Sequence, residues 1–255
     1  MNRRALVVDV GNTRLKWGLI NGGKLSRTGS VLREELDSGG LKAFVRKLPS
    51  DVQDVLVSNV AGAAFASRLA GVLGLHCGCD VHFARSEREA YGVRNAYRRP
   101  RRLGVDRFVA MVGARAQTRG SLCVVDAGTA VTIDALDSKG LHLGGQIIPG
   151  LDLMAHALAN DTSGIGTPTA RAGIAPSGMG IFADSTRLAV RAGAVNALCG
   201  AVDRAVRVLR AGGYRPRVVL TGGDASRILT ALDGNVLHRP HLVLEGLAFM
   251  LQGRR

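Results

Sequence analysis

Cysteine, aromatic residues and lysine are scarce in this chain, and each shortage excludes a class of protein. Four cysteines occur in 255 residues, and the pair in Cys77-Gly78-Cys79 is too close together for the usual zinc spacing. We therefore predict neither a zinc module nor a disulfide framework, and we interpret the thiols as buried or incidental in a reducing compartment. Aromatic residues make up 4% of the chain, which is poor for stacking on nucleic-acid bases.

Long apolar segments are also lacking. No run approaches the roughly 20 residues that a membrane helix needs, so no membrane partner is expected. The N-terminus begins like a signal peptide, with Arg3 and Arg4 before an apolar segment, but Asp9 interrupts that segment and a strand explains it better. The sequence therefore predicts a cytoplasmic protein.

Acidic residues are outnumbered, which leaves a net charge of +14. Because only five of the 34 basic residues are lysines, the excess is arginine, and its densest cluster is Arg98-Arg99-Pro100-Arg101-Arg102. Such charge suits nucleic acid, but no helix-turn-helix, zinc-finger or RNA-binding signature accompanies it. An arginine cluster also attracts small anionic substrates. Nucleic-acid binding is therefore not favoured as the main function.

What the chain does contain is a repeated strand–turn–strand segment. The first copy reads Leu6-Val7-Val8-Asp9-Val10-Gly11-Asn12-Thr13-Arg14-Leu15-Lys16, and the second reads Leu122-Cys123-Val124-Val125-Asp126-Ala127-Gly128-Thr129-Ala130-Val131-Thr132. The two aspartates lie 126 − 9 = 117 residues apart. The first turn gathers backbone N–H groups, a hydroxyl, a carboxylate and a lysine, which suits a phosphate chain and its magnesium ion. Two such segments indicate a duplicated domain with a nucleotide between the halves.

Hydrophobic periodicity predicts the same order of elements in both halves. In the first half we predict strands at 6–8, 15–20, 24–31, 55–57 and 81–83, and helices at 41–48 and 65–73. A polar loop then leads to a helix over 104–120. In the second half we predict strands at 122–127, 130–136, 141–148 and 218–220, and helices at 151–159, 184–209 and 241–251. The Gly-, Pro- and Thr-rich loop at 161–180 is predicted to be the most mobile segment.

The pattern predicts an α/β protein of two duplicated ribonuclease H-like or actin-like βββαβαβα domains, at 1–118 and 119–255, with the nucleotide site in the cleft between them. It resembles the acetate and sugar kinase, heat-shock chaperone and actin superfamily. Within that superfamily, four stretches together resemble type III pantothenate kinase. They are Asp9-Val10-Gly11-Asn12-Thr13-Arg14-Leu15-Lys16, Gly104-Val105-Asp106-Arg107, Asp126-Ala127-Gly128-Thr129-Ala130-Val131-Thr132 and Gly145-Gln146-Ile147-Ile148-Pro149-Gly150. The family usually has alanine where this chain has Val105, another small apolar residue.

The resemblance implies that a homodimer transfers phosphate from ATP to pantothenate, the first step towards coenzyme A. Phosphoryl transfer requires reacting oxygens in line and neutralised charge on the transferring group. We therefore predict that Asp9 holds Mg²⁺ with ATP, that the Gly11-Asn12-Thr13 turn contacts the phosphates, and that Lys16 adds a positive charge. The alternative is an ordinary hairpin whose Asp9 and Asn12 side chains cap the turn.

The remaining nucleotide contacts come from the resemblance. It implies that the whole stretch from Asp9 to Lys16 binds ATP, that Thr129 contacts ATP, and that Asp126 binds a monovalent cation, K⁺ or NH₄⁺. The segment Thr221-Gly222-Gly223-Asp224 resembles the adenosine-side turn of the superfamily. Its alternative interpretation is a strand-to-helix turn in which Asp224 caps the helix.

Asp106 is the predicted catalytic residue. It stands at the start of a helix beside Arg107, and both the cation and the helix N-terminus favour an ionised carboxylate. Such a carboxylate can take the proton of a substrate hydroxyl as that oxygen attacks the γ-phosphate. Taken alone, Asp106 would be interpreted as an N-cap and Arg107 as a solvated surface charge. The family resemblance reverses that order.

The resemblance also assigns the pantothenate pocket. The substrate-binding set is Tyr97, Gly104, Val105, Asp106, Arg107 and Thr186, the last contributed by the neighbouring subunit. Tyr91 and Ser185 are the competing positions for Tyr97 and Thr186. The six histidines form no recognisable metal or relay spacing and are interpreted as structural.

Two other functions remain open from the sequence. One is a non-catalytic nucleotide-binding accessory factor in bacterial gene regulation, which intact aspartates at the site argue against. The other is a kinase of a different small alcohol, which would keep the nucleotide residues and change the pocket. The Gly-x-Asp-Arg stretch counts against that second alternative.

Overall fold

The fold was analysed in a computed structural model that describes residues 4–162, 164–165 and 181–253. The loop predicted at 161–180 lies almost entirely outside these ranges. The strands are β1 (Ala5–Val10), β2 (Arg14–Asn21), β3 (Lys24–Leu32), β4 (Asp54–Asn59), β5 (Val81–Phe83), β6 (Glu89–Ala90), β7 (Val93–Arg94), β8 (Leu122–Ala127), β9 (Ala130–Leu136), β10 (His142–Pro149), β11 (Arg217–Thr221) and β12 (Val236–His238).

Helices connect and cover these strands. The α-helices are α1 (Arg33–Glu35), α2 (Leu41–Val45), α3 (Ala63–Cys77), α4 (Val105–Gln117), α5 (Leu151–Asp161), α6 (Thr186–Ala211), α7 (Ala225–Ile228) and α8 (Leu242–Gln252). A π-helical turn spans Leu36–Gly40, and 3₁₀ turns span Pro100–Arg102 and Leu229–Ala231. Within the described ranges, no helix combines the length and the apolar character needed to cross a bilayer.

The chain divides into two compact units, one of residues 1–119, 140–142 and 241–255, the other of residues 120–139 and 143–240. The first contains a sheet in the order β3-β2-β1-β4-β5, and the second contains a sheet in the order β10-β9-β8-β11-β12. In each, the central strand pairs antiparallel with the next strand in sequence and parallel with a later one. The identical strand order confirms the predicted duplication within an α/β fold.

Alternating side chains of β1 explain how the first sheet is covered on both faces. Leu6, Val8 and Val10 belong to an apolar core that also contains residues of α2 and α3, such as Val45 and Leu69. Because successive side chains of a strand point to opposite faces, Val7 and Asp9 lie on the other face. Asp9 is therefore carried by a strand that burial holds in place on both sides.

The C-terminal helix α8 lies in the first unit, whereas the predicted division of the chain at residue 118 placed it in the second. Helix α8 belongs to the first unit, where it packs against α4 so closely that a Cβ atom on Gly113 would lie 2.6 Å from the carbonyl oxygen of Leu242. The side-chain amide of Gln252 also donates to the carbonyl of Gly23, at 2.8 Å. Periodicity predicts that this helix exists, but not which sheet it covers.

The cysteines have the unreactive surroundings that the sequence suggests. Cys123 and Cys199 are buried, and all four thiols are free. Burial raises the pKa of Cys123 to about 12 and that of Cys199 to about 11. Burial, with a further contribution from Cys79, raises the pKa of Cys77 to about 11. These thiols therefore hold their protons at neutral pH, which makes them poor nucleophiles.

Candidate active site

The first Asp-x-Gly segment forms a tight turn between β1 and β2. The backbone N–H of Gly11 donates to the carbonyl of Arg14 at 3.0 Å, which closes the turn. Asn12 and Thr13, at its tip, are exposed. The turn therefore presents an amide, a hydroxyl and backbone groups to the outside while its base is fixed by two paired strands.

Sheet register places three polar residues in one row beside this turn. Asp9 is the direct partner of Lys16 across the antiparallel pair and of Ser58 across the parallel pair. Residues in register project to the same face of a sheet, with Cβ atoms of antiparallel partners about 5 Å apart. The predicted lysine and carboxylate are thus brought together, and Ser58, which the sequence analysis did not single out, completes the row.

The second unit repeats the row with one chemical change. Asp126 is in register with Thr132 on β9 and with Thr221 on β11. Two hydroxyl side chains therefore flank Asp126, whereas a lysine and a serine flank Asp9. The position beside Asp126 that corresponds to Lys16 is therefore held by Thr132, a neutral residue.

Two of the sequence motifs meet at the second turn. The N–H of Gly128 donates to the carbonyl of Ala130 at 3.2 Å. The N–H of Gly150, which ends the Gly145–Gly150 motif, donates to the carbonyl of Thr129 at 2.9 Å. Strand β10 thus returns the chain to the turn that carries Thr129, which explains why both motifs occur together.

The Thr221–Asp224 turn is hydrogen-bonded to the end of β8. The N–H of Asp224 donates to the carbonyl of Ala127 at 2.9 Å. Asp224 stands at the N-cap position of α7 but makes no side-chain cap bond; its carboxylate instead accepts from Arg227 at 3.1 Å, and Arg227 also donates to Asp152 at 2.9 Å. The helix-cap interpretation of Asp224 therefore lacks the hydrogen bond that defines it.

Gly222 and its neighbour Gly223 offer a matched test of this turn. Gly222 has φ of +103°, and a Cβ atom there would collide with the backbone of Ala127, whereas a Cβ atom on Gly223 meets nothing within 4 Å. We expect Gly222→Ala to lower the free energy of unfolding by about 3 kcal/mol. Gly223→Ala should change it by less than about 0.5 kcal/mol. Urea denaturation measures both, and equal losses would contradict the described turn.

Asp106 lies at the start of α4 but is not its N-cap residue. The N-cap residue is Gly104, and Asp106 lies in the first turn of the helix. One carboxylate oxygen of Asp106 accepts the backbone N–H of Arg107 at 2.8 Å. A Cβ atom on Gly104 would lie 2.6 Å from that same oxygen. The absence of a side chain at Gly104 therefore leaves room for the carboxylate in this position, and the interpretation of Asp106 as the N-cap is wrong.

Arg107, interpreted from sequence alone as a surface charge, is buried, with 6% of its surface exposed. Its Nη1 donates to the hydroxyl of Tyr97 at 3.0 Å, and its guanidinium carbon lies 5.9 Å from the centre of the tyrosine ring. Tyr91 instead takes φ of 54°, and its ring lies against Gly253. The structure therefore joins Tyr97, rather than Tyr91, to the Gly104–Arg107 stretch.

A second ring, that of His142, lies beside Tyr97 and was missed by the sequence analysis. The two rings stack with centres 6.1 Å apart and planes inclined by 12°. His142 is almost fully buried. His142 lies 45 positions after Tyr97 in the sequence (142 − 97), and no helix or strand period relates residues so far apart. The two rings come together only because residues 140–142 return to the first unit.

The loop that carries Tyr97 is held by its own side chains. Asn95, 2% exposed, donates to the carbonyls of Glu87 and Pro100 and accepts the N–H of Tyr97 at 3.0 Å. Arg88 donates to the carbonyls of Tyr97 and Arg98, at 2.9 and 2.7 Å. Satisfied backbone groups give a defined conformation to a segment without much regular structure. These hydrogen bonds hold the backbone of Tyr97 in place.

Thr186 and Ser185 both lie at the start of α6 in the second unit. Ser185 is the N-cap residue but makes no side-chain cap bond, and Thr186 is the first helical residue. Both side chains are exposed. Neither position is favoured over the other by these contacts.

The chain matches the sequence model of a known family over most of its length. Residues 5–208 match the sequence model of type III pantothenate kinase. A type III pantothenate kinase of Nitrosococcus oceani is 39% identical over 251 residues, covering 95% of this chain and 92% of the relative. The chain belongs to the type III pantothenate kinase family. This membership confirms the predicted family, the predicted kinase function and the use of ATP.

Solved structures show how far the fold extends beyond the pantothenate kinases. A Baf family transcriptional activator from Campylobacter jejuni superposes with a TM-score of 0.61 at 19% identity, covering 98% of each chain. A Listeria monocytogenes protein named as an N-acetylmannosamine kinase gives 0.56 at 14%, covering 99% of this chain and 100% of its own. At such identities the likeness shows the fold alone, and it confirms the predicted actin-like and sugar-kinase-like class.

Proposed function

We propose that this type III pantothenate kinase transfers the γ-phosphoryl group of ATP to the hydroxyl of pantothenate, with Asp106 as general base, giving 4′-phosphopantothenate and ADP. The observation that carries the proposal is the arrangement at the start of α4. There a carboxylate held by a helix N–H lies next in sequence to a buried guanidinium bonded to Tyr97. A base beside a substrate-binding cation and ring is what an alcohol acceptor needs.

The acceptor half of the site divides its tasks among three residues. Asp106 takes the hydroxyl proton as the oxygen attacks, because its carboxylate sits where the helix N-terminus stabilises negative charge. Arg107 binds the carboxylate or amide of pantothenate, because a planar guanidinium suits planar acceptors of that kind. Tyr97 accepts from Arg107, so its own hydroxyl proton is left for the substrate.

The donor half uses the first turn. Gly11, Asn12 and Thr13 contact the β- and γ-phosphates, and Lys16 adds a positive charge next to Asp9. The carboxylate of Asp9 fits Mg²⁺, a hard cation that prefers oxygen ligands and takes most of the others from phosphate and water. The ion supplies neutralisation of phosphate charge when bound. Thr129 is assigned a further contact with ATP by family resemblance.

The difference between the two polar rows supports a monovalent cation at Asp126. A lysine beside Asp9 would repel such an ion, whereas the hydroxyls of Thr132 and Thr221 flank Asp126 with neutral oxygens. Carboxylate and hydroxyl oxygens are suitable ligands for K⁺, and NH₄⁺ could donate to the same set. We therefore propose K⁺ or NH₄⁺ at this position.

A homodimer in the cytoplasm completes the proposal. Six of the nine large apolar side chains that are exposed among the described residues lie between residues 143 and 182 of the second unit. They are Leu143, Ile147, Leu153, Leu158, Ile181 and Phe182. Exposed apolar groups concentrated in one part of a chain are typical of a subunit interface. Thr186, close behind them in sequence, would then reach the substrate of the neighbouring subunit.

ADP release in two buffers tests the donor, the acceptor and the cation together. Purified protein with ATP, Mg²⁺ and pantothenate should release ADP in potassium buffer and at least about tenfold more slowly in sodium buffer, as expected for a bound ion that neutralises about one charge. Asp126→Asn should remove the difference between the buffers. Release that is equal in both buffers would overturn the cation proposal, and release that is independent of pantothenate would overturn the acceptor.

A further inference from the structure

Arg33 contacts both ends of the phosphate-binding turn, although it lies 20 residues after Thr13 in the sequence (33 − 13). Its backbone N–H donates to the carbonyl of Thr13 at 2.9 Å. Its Nη1 donates to the carbonyl of Gly11 at 3.3 Å. Arg33 is the first residue of α1, directly after β3, so the sheet itself delivers it to the turn.

The guanidinium of Arg33 is fixed on its other sides. Nη2 pairs with the carboxylate of Asp37 at 3.1 Å, one helical turn further on, and the guanidinium carbon lies 4.0 Å from the centre of the Phe65 ring. Arg68 pairs with the same carboxylate at 3.2 Å and lies over the same ring at 5.5 Å. The side chain of Arg33 is only 13% exposed. Since a cation buried to that extent is costly unless paired, its position is strongly determined.

Peptide planarity turns these contacts into a statement about phosphate binding. In a trans peptide the carbonyl and the following N–H point in opposite directions. Because Arg33 binds the carbonyls of Gly11 and Thr13, the N–H groups of Asn12 and Arg14 point away from Arg33. Carbonyl oxygens facing a phosphate would repel it, whereas N–H groups attract it.

We propose that Arg33 is a positioning residue that orients the backbone of the Gly11–Thr13 turn so that the N–H groups of Asn12 and Arg14 face the phosphates of ATP. The charge of Arg33 is shared with Asp37, so Arg33 acts through the turn rather than by touching the nucleotide. This inference rests on the proposed function only in naming ATP as the ligand of the turn.

The test is the affinity for Mg-ATP of Arg33→Met, measured by calorimetry with no pantothenate present. Methionine keeps the apolar stem over Phe65 but removes the donor to Gly11. We expect Kd for Mg-ATP to rise about tenfold, as for loss of one hydrogen bond from a charged donor. Arg68→Met is the matched control, because Arg68 shares both Asp37 and Phe65 and, within the described residues, makes no hydrogen bond to the turn. Its Kd should match that of the unmodified protein.

The outcomes separate this inference from the proposed function. Equal Kd values for Arg33→Met and the unmodified protein would overturn the positioning role, even if the enzyme phosphorylates pantothenate. If the unmodified protein binds Mg-ATP but phosphorylates nothing, the proposed function fails while the Arg33 comparison still holds. A purely structural role would lower the melting temperature of both variants and leave Kd unchanged. Arg33→Lys, which keeps the charge, should give a Kd for Mg-ATP between those of the unmodified protein and Arg33→Met. If Arg33→Met does not fold, Arg33→Lys takes its place in the test.

Discussion

Asp106→Asn should lower kcat by about 10²- to 10⁴-fold, the contribution of a positioned general base. The asparagine oxygen can still accept the N–H of Arg107, which Asp106 accepts at 2.8 Å, so the start of α4 should remain folded. What the variant loses is the ability to take a proton from the substrate hydroxyl. KM for ATP should therefore stay within about twofold, since the substitution removes an interaction made only in the transition state.

Steady-state kinetics and thermal unfolding together check this prediction. Gly104→Ala is an informative companion, because a Cβ atom there would lie 2.6 Å from the Asp106 carboxylate and must displace it. It should lower kcat in the same direction without changing the chemistry of residue 106. A parallel fall in melting temperature and in ATP affinity for Asp106→Asn would instead mean that the carboxylate only supports the helix.

Arg107→Met should lower kcat/KM for pantothenate by about 100-fold at saturating ATP, from the loss of a charge-assisted contact with the substrate. The buried guanidinium also anchors Tyr97, and its removal leaves the tyrosine hydroxyl without this donor. The effect should therefore concentrate on the acceptor. The affinity for Mg-ATP should change by no more than about twofold, because the first turn is built by other residues.

Two variants bracket the Arg107 result. Tyr97→Phe removes the hydroxyl that accepts from Arg107 and whose proton is left for the substrate, and it should cost about tenfold in kcat/KM for pantothenate. Arg101→Met changes an exposed member of the arginine cluster and should leave both substrates unaffected. If Arg101→Met were as damaging as Arg107→Met, the substrate would be bound by the exposed cluster and the assignment to Arg107 would be contradicted.

Local sequence pattern was sufficient for most strands of the two five-stranded sheets, whereas β6 and β7 lie in the segment predicted as a polar loop. The apolar runs around Asp9 and Asp126 are short, rich in valine and interrupted by Asp-x-Gly, and they form the central strands of the two sheets. The strand order repeats in both units because the same pattern repeats. The motif Gly104–Arg107 also predicted a helix start, which the structure places one residue into the motif, at Val105.

Contacts that depend on long-range packing could not be predicted in the same way. His142 stacks on Tyr97, Arg33 contacts Gly11, and α8 covers the first sheet; each joins positions that no local period relates. The burial of Arg107 belongs to the same class, because an arginine after a helix start is usually solvated. The residue types of the site could be predicted from the sequence, but the contacts between them depend on tertiary structure.

The most direct test of the whole account is mass spectrometry of pantothenate after incubation with purified protein, ATP and Mg²⁺ in potassium buffer. We expect a new species heavier than pantothenate by one phosphoryl group, formed in step with ADP and at least about 10²-fold more slowly with Asp106→Asn. Unchanged pantothenate from folded protein that binds Mg-ATP would contradict it, because the Asp106, Arg107 and Tyr97 arrangement would then serve another acceptor or none.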